Sequence, residues 1–317
     1  MKVLITGGTG FIGSFVVEEL VNQGYAVVVV ANGREVPIYL NQVAEKITYY
    51  QGDFGETDIL ERALCGCEAV IHLAWSTVPK QTKGSTSYEF SSNINSTISL
   101  IEKCIDLNID KFIFISSGGT VYGIPEKIPI TEEHPLSPIS NYGLGKLTTE
   151  RLLHLYHYSN GLHYTVLRVS NAYGERQNFN KNQGVIGVWL KNIFEKKDIE
   201  IWGDGSVIRD YVYVKDVAFA IMSALKTMDG PSVFNIGGGR GVSLNEIIEE
   251  IKQVTGEKFR INYKPARNFD VPVNILDISQ AQSKIGFSST TSLNEGIART
   301  WKWICERKME DHLIHKF

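Results

Sequence analysis

Seven residues near the N-terminus, Gly7-Gly8-Thr9-Gly10-Phe11-Ile12-Gly13, constrain this chain more than any other stretch. Gly7, Gly10 and Gly13 recur at a spacing of three. Before them lies a short apolar run, Val3-Leu4-Ile5, which reads as a strand covered on both faces. After them Ile12, Val16 and Leu20 fall at helical spacing, and Gly24 stands where a helix stops. In a strand, turn and helix unit such glycines have a physical task. The turn must be tight, the backbone must approach a pyrophosphate, and the helix N-terminus offers free N–H groups with a partial positive charge. The stretch predicts a dinucleotide site.

The rest of the first half fits the same scheme. Apolar runs at Tyr25 to Val30, Ile47 to Gln51, Ala69 to Ala74, Lys111 to Ser117 and Tyr164 to Val169 predict further strands. Helices are expected over residues 92 to 108 and from Tyr142 to about Tyr158, the second capped by Asn141. Such alternation predicts an α/β fold, a Rossmann-type doubly wound parallel sheet with the sixth strand closing the unit. Residues 1 to 170 are assigned to dinucleotide binding, with the chain returning near 207 to 240. Residues 171 to 317 are assigned mainly to a smaller mixed α/β substrate domain. There a helix is expected from Val185 to about Glu195, and a hairpin over Ile199 to Val214 that turns at Gly203-Asp204-Gly205. Val233 to Ile236 reads as a strand, followed by a glycine cluster from Gly237 to Gly241 and a capping box, Ser243-Leu244-Asn245-Glu246. This second glycine turn lacks the spacing of three and is a weaker cofactor site than the first.

Composition excludes several classes. A net charge of −3 without a basic block argues against a nucleic acid or a membrane surface as partner. No apolar run approaches the ~20 residues needed to span a bilayer, and the N-terminus reads as a strand rather than a leader. The four cysteines are unevenly placed, without paired zinc-ligand spacing, and are expected reduced in a cytoplasmic protein. The seven histidines show no ligand spacing, so no metal is expected.

The second strand should end in an acidic residue that holds the adenosine ribose. Here the end reads Ala31-Asn32-Gly33-Arg34, with no carboxylate. Arg34 can pair with a 2′-phosphate, which admits NADP beside NAD. Asp53 follows the third strand, where its carboxylate can accept from the adenine amino group. His72, inside an apolar run, reads as a packed core residue. Tyr142 and Lys146 are four apart on one helix face. A cation one turn from a phenol favours phenolate and makes it a usable base, and the same lysine can bond the nicotinamide ribose. Tyr211 and Lys215 share that spacing, but alternation through Asp-Tyr-Val-Tyr-Val places them in extended chain, too far apart to couple.

Together these features resemble the extended short-chain dehydrogenase/reductase family, in its nucleotide-sugar epimerase and dehydratase branch. The marks are the glycine stretch, Ile71-His72-Leu73-Ala74, Asn93-Ile94-Asn95-Ser96-Thr97, Ser116 to Gly123, Tyr142-Gly143-Leu144-Gly145-Lys146, Asn171-Ala172-Tyr173-Gly174 and Arg209-Asp210-Tyr211-Val212. The resemblance implies Tyr142 as base, Lys146 as its partner and NAD or NADP as hydride carrier. It implies cofactor contacts at Gly7, Gly10, Phe11, Ile12, Gly13, Asn32, Arg34, Asp53, Phe54, Leu73, Ala74 and Asn93. For a sugar nucleotide it implies Asn171, Arg209, Arg267, Asp270 and Asn274, the two arginines suiting a diphosphate. A homodimer is a further implication.

The resemblance has a gap. The family places Ser or Thr where this chain has Gly118, to bond the substrate C4 oxygen. Thr120, on the same side if strand alternation persists, is the candidate replacement, with Ser117 in reserve. Dehydratases of the branch carry an Asp-Glu pair after this position, and Gly119 and Thr120 stand there instead, which argues against dehydration. The implied activity is 4-epimerisation of a UDP-hexose or UDP-N-acetylhexosamine. Asn274 replaces a bulky tyrosine of galactose-type epimerases and leaves room for a 2-acetamido group. Alternatives are an NADPH-dependent 4-keto-6-deoxy reductase and a non-catalytic cofactor-sensing regulator.

Overall fold

The computed structural model describes residues 1–77, 86–109, 111–179, 183–227, 229–266 and 271–314. Its strands are β1 (Lys2–Thr6), β2 (Ala26–Ala31), β3 (Ile47–Gln51), β4 (Ala69–His72), β5 (Lys111–Ser117), β6 (His163–Val169), β7 (Asn171–Tyr173), β8 (Ile199–Trp202), β9 (Ile208–Tyr213), β10 (Ser232–Ile236), β11 (Gly241–Ser243), β12 (Ile261–Lys264) and β13 (Val273–Asn274). The helices are α1 (Phe11–Asn22), α2 (Thr57–Leu64), α3 (Thr86–Glu89), α4 (Asn95–Asp106), α5 (Asn141–Asn160), α6 (Val185–Phe194), α7 (Val214–Thr227), α8 (Leu244–Thr255), α9 (Ser279–Ile285) and α10 (Leu293–Ile314).

Seven strands form one parallel sheet in the order β10-β6-β5-β4-β1-β2-β3. Its strands are nearly all apolar because both faces are covered. Val3, Ile5, Val27, Val29, Ile71 and Ile113 share a core with Phe15, Val16 and Leu20 of α1 and Val217 and Ile221 of α7. Their neighbours Leu4, Val28, Val30, Val70, Phe112 and Phe114 point to the other side, against Leu60 and Leu64 of α2, Leu100 and Ile101 of α4 and Leu153 of α5. The doubly wound expectation is met.

Three details differ. β10 lies outside β6, so the sixth strand does not close the sheet. Ser140 caps α5, its hydroxyl accepting from Gly143 N at 3.1 Å, while Asn141 is already the first helical residue. The hairpin over 199 to 214 does not form: β8 pairs with β12, and β9 pairs with β7, β11 and β13. Gly203 and Gly205 take positive φ, and the Asp204 carboxylate accepts from Ser206 N and Oγ. That turn passes the chain from one small sheet to another instead of folding it back. The capping box at Ser243 and Glu246 is present. Among the described residues no helix is long and apolar enough to cross a membrane, and no group of His, Cys, Asp or Glu is set to hold a metal ion.

Candidate active site

The glycine turn is built around contacts that a side chain would destroy. Gly7 has φ 72°, and a Cβ there would lie 2.8 Å from Ala74 N. A Cβ on Gly13 would collide with the Gly7 carbonyl. No side chain caps α1 at Gly10, and no acidic residue occupies its first turn, so the leading N–H groups of the helix remain for an anion. These donors and this close-packed backbone fit the pyrophosphate of a dinucleotide.

The other expected cofactor residues surround the turn. Asn32 and Arg34 are exposed beyond β2, and Arg34 makes no hydrogen bond or ion pair to another described residue. Asp53 Oδ1 accepts from Gly55 N at 2.8 Å, the turn role that carboxylates commonly take. Phe54 is buried edge-on to His72 at 4.9 Å between ring centres. Leu73 N donates to Thr6 O, and Ala74 underlies Gly7. Asn93 sits in a π-helical turn (Phe90–Ile94) between α3 and α4, a geometry often found at functional sites. Its Oδ1 accepts from Ser76 N at 2.8 Å. His72 is the core residue expected, with ring nitrogens 2.6 Å from Thr6 Oγ1 and 2.9 Å from Thr97 Oγ1. Burial, helped by the Lys146 charge, pushes it down to about 3.

Tyr142 and Lys146 both lie on the first turns of α5. The Lys146 ammonium donates to Ile115 O at 2.8 Å and rests 3.8 Å from the centre of the Trp75 ring and 5.7 Å from that of Tyr142. Burial brings Lys146 down to about 7, against Glu89 and Glu150, which raise it. Burial and the Glu89 carboxylate push the Tyr142 phenol above its usual range. Against the expectation that the lysine lowers the phenol, both acting causes, burial and the Glu89 carboxylate, raise it. Tyr211 and Lys215 are uncoupled for a different reason than chain extension. Tyr211 is in β9, but Lys215 is helical in α7, with its ammonium 5.6 Å over Phe15.

Trp75 and Glu89 are the site residues that sequence reasoning missed. Trp75 Nε1 donates to Glu89 Oε1 at 2.8 Å. The signal for Glu89 lay in its position one helical turn before Asn93, whose Nδ2 donates to it at 3.3 Å.

On the opposite side, Asn171 Nδ2 donates to Asp210 O at 2.9 Å, and Arg209 Nη1 donates to Ile208 O at 2.8 Å. Asn274, paired with Arg209 across β13 and β9, donates from Nδ2 to Gly118 O at 3.3 Å. Arg267 and Asp270 lie outside the described residues. The second glycine turn takes an internal anion: the Asp210 carboxylate accepts from Gly238 N at 2.6 Å, Gly239 N at 3.3 Å and Leu276 N at 3.2 Å. That nest is already filled.

Residues 3–237 match the family described as NAD dependent epimerase/dehydratase family. The chain belongs to this family. A UDP-glucose 4-epimerase from Thermotoga maritima, solved with UDP-glucose, is 37% identical and superposes with a TM-score of 0.91 over 97% of this chain and 100% of the other. The Thermus thermophilus UDP-glucose 4-epimerase in complex with NAD is 29% identical, with a TM-score of 0.87 over 96% and 99%. An Escherichia coli dTDP-4-dehydro-6-deoxyglucose reductase is 32% identical over 95% of this chain and 97% of its own.

Space is short at Gly118, the position expected to carry Ser or Thr. A Cβ at Gly118 would lie 2.5 Å from Leu276 Cδ1 and 3.0 Å from Arg168 O. Alternation does not persist to Thr120 either. The chain turns after Ser117, whose carbonyl accepts from both Thr120 N and Val121 N. The turn packs the Thr120 carbonyl against the first turn of α5, where a Cβ on Gly143 would lie 2.7 Å from it. Among the described residues, Thr120 Oγ1 and Asn274 Oδ1 are buried without a hydrogen-bond partner.

Proposed function

We propose that this protein is a nucleotide-sugar 4-epimerase. The observation that carries the reading is one dipeptide: Ala74 underlies the glycine turn at Gly7, and Trp75 carries the Lys146 ammonium. A dinucleotide cradle and an acid/base pair therefore meet within one peptide unit. NAD, when bound, supplies reversible hydride acceptance at C4.

The chain's own residues do the rest. Tyr142, as phenolate, takes the proton of the C4 oxygen as hydride leaves, and the phenol so formed returns it when hydride re-adds to the opposite face. Lys146 supplies the nearby cation. Thr120 Oγ1, buried and unpartnered among the described residues, is the donor for the C4 oxygen in place of a side chain at position 118, with Ser117 beside it. Asn171 and Arg209, with Arg267 and Asp270, hold the nucleotide, the arginines at the diphosphate. Asn274 leaves room for a 2-acetamido group, so UDP-N-acetylglucosamine is the favoured substrate. A strong preference for UDP-glucose would overturn that choice. Residues 1 to 170, with the return near 207 to 240, carry the cofactor, and 171 to 317 mainly the substrate. The enzyme works as a cytoplasmic homodimer.

A second reading, a 4-keto-6-deoxy sugar-nucleotide reductase using NADPH, is favoured by Ala31, which leaves the end of β2 without a carboxylate beside the exposed Arg34. One experiment separates the two. The purified protein is incubated with UDP-glucose, UDP-N-acetylglucosamine and their galacto epimers with no cofactor added. Interconversion establishes the epimerase with retained NAD. Its absence, together with NADPH oxidation on a 4-keto-6-deoxy sugar nucleotide, establishes the reductase.

A further inference from the structure

We propose that Glu89 is a positioning residue of the Tyr142 and Lys146 pair, its buried carboxylate fixing Trp75 beneath the Lys146 ammonium and supplying the negative charge that answers it. Glu89 is 2% exposed and lies at the end of α3, next to the π-helical turn. Its Oε1 accepts from Trp75 Nε1 at 2.8 Å and from Asn93 Nδ2 at 3.3 Å. Both donors are neutral. Among the described residues no Lys or Arg forms an ion pair with it.

The helix that carries the pair is shaped to receive this carboxylate. A Cβ on Gly145 would lie 2.6 Å from Glu89 Oε1 and 3.0 Å from its Cγ. Gly145, the second of two glycines between Tyr142 and Lys146, is the gap through which Glu89 reaches the site. Trp75 completes the arrangement, its N–H held by Glu89 and its ring face 3.8 Å from Lys146 Nζ. A cation over an indole face is attracted by the ring quadrupole, more so away from water.

The other titratable groups around Lys146 supply less of this charge or none. On its own helix, burial and Glu89 push the Tyr142 phenol up, so it adds no resting negative charge of its own. Glu150, one turn further on, also raises Lys146 but by less than Glu89, its carboxylate being shared with Arg168 at 2.7 Å and with Ser116. His72 on β4 is neutral through burial. Glu89 is the larger of the two carboxylate effects that raise Lys146 against the lowering effect of burial.

This inference rests on Tyr142 and Lys146 being the reacting pair, but its test reads Lys146 directly. Lysine side chains are labelled with 13C, the Lys146 Cε resonance is assigned by its loss in Lys146→Met, and its shift is titrated with pH. In Glu89→Gln the midpoint falls by about one pH unit, the scale of a lost opposite charge nearby. In Glu89→Asp, which keeps the charge but draws it back, the midpoint falls by less. The alkaline limb of kcat/KM moves with the midpoint. An unchanged midpoint in Glu89→Gln overturns the proposal, as does lost turnover with unmoved limbs, which marks a purely structural role. If Glu89→Gln does not fold, an unchanged midpoint in Glu89→Asp overturns it. If no sugar nucleotide is turned over, the titration still decides the charge relation.

Discussion

Leu276 fills the space that a side chain at Gly118 would occupy, with Cδ1 2.5 Å from where the Cβ would stand. Gly118→Ser is therefore expected to destabilise the protein by about 1–3 kcal/mol through overpacking. Leu276→Ala alone is expected to cost about 2–5 kcal/mol through the cavity it leaves. Combined, each change relieves the other, and the double variant is more stable than the sum predicts. Chemical denaturation of the four proteins measures the coupling; strict additivity would mean that the two positions do not compete.

Tyr142→Phe removes only a hydroxyl from a partly buried ring. Turnover of the preferred sugar nucleotide is expected to fall by about 10²–10⁴, the usual range for a lost acid/base group. Thermal stability should hold within about 1 kcal/mol. Steady-state kinetics and a melting curve on the same preparation separate the two effects.

Arg168 and Glu150 form a buried ion pair at 2.7 Å, each side chain 5% exposed. Arg168 also donates to Tyr122 Oη at 3.0 Å and to Glu132 O at 3.1 Å. Arg168→Met leaves the Glu150 charge buried and unpaired and should cost about 3–5 kcal/mol. Adding Glu150→Leu should recover part of that loss. Urea unfolding of both variants tests the expectation.

His72 and Asp210 make stability depend on pH in opposite directions. His72 is pushed down to about 3, from an ordinary value of 6.5. Between these values only the unfolded chain binds the proton. Its contribution is thus complete above pH 6.5 and is lost as pH falls towards 3. Burial raises Asp210 to about 6, from 3.8, against the backbone donors at Gly238, Gly239 and Leu276. The folded state protonates first there, so its contribution is complete below 3.8 and is lost as pH rises through 6. Melting temperatures from pH 3 to 7 should fall less steeply on acidification in His72→Asn than in the parent, and more steeply in Asp210→Asn.

What the sequence disclosed was local. The spacing of Gly7, Gly10 and Gly13, the apolar strands and the Ser243 capping box rest on residues a few positions apart, and each stands where expected. Lys146 also lies one turn from Tyr142, but its electrostatics come from Trp75, Ile115 and Glu89, which only the fold brings near. The hairpin failed for the same reason: the partner of β8 is β12, far along the chain. Leu276 decides whether position 118 can bear a side chain, and nothing near Gly118 announces it.

The edge strand β10 enters the sheet long after β6 has been made. A nascent chain that has emerged only as far as Val169 holds six strands in place, with the backbone of β6 open along one side. An open apolar edge is a template for pairing with other chains. Synthesis must run on through β7, β8, β9 and α7 before Ser232 to Ile236 can seal it. Polypeptides cut short in that interval are the species that quality control would have to meet, and separating the first 170 residues as an independent unit would make that exposed edge permanent.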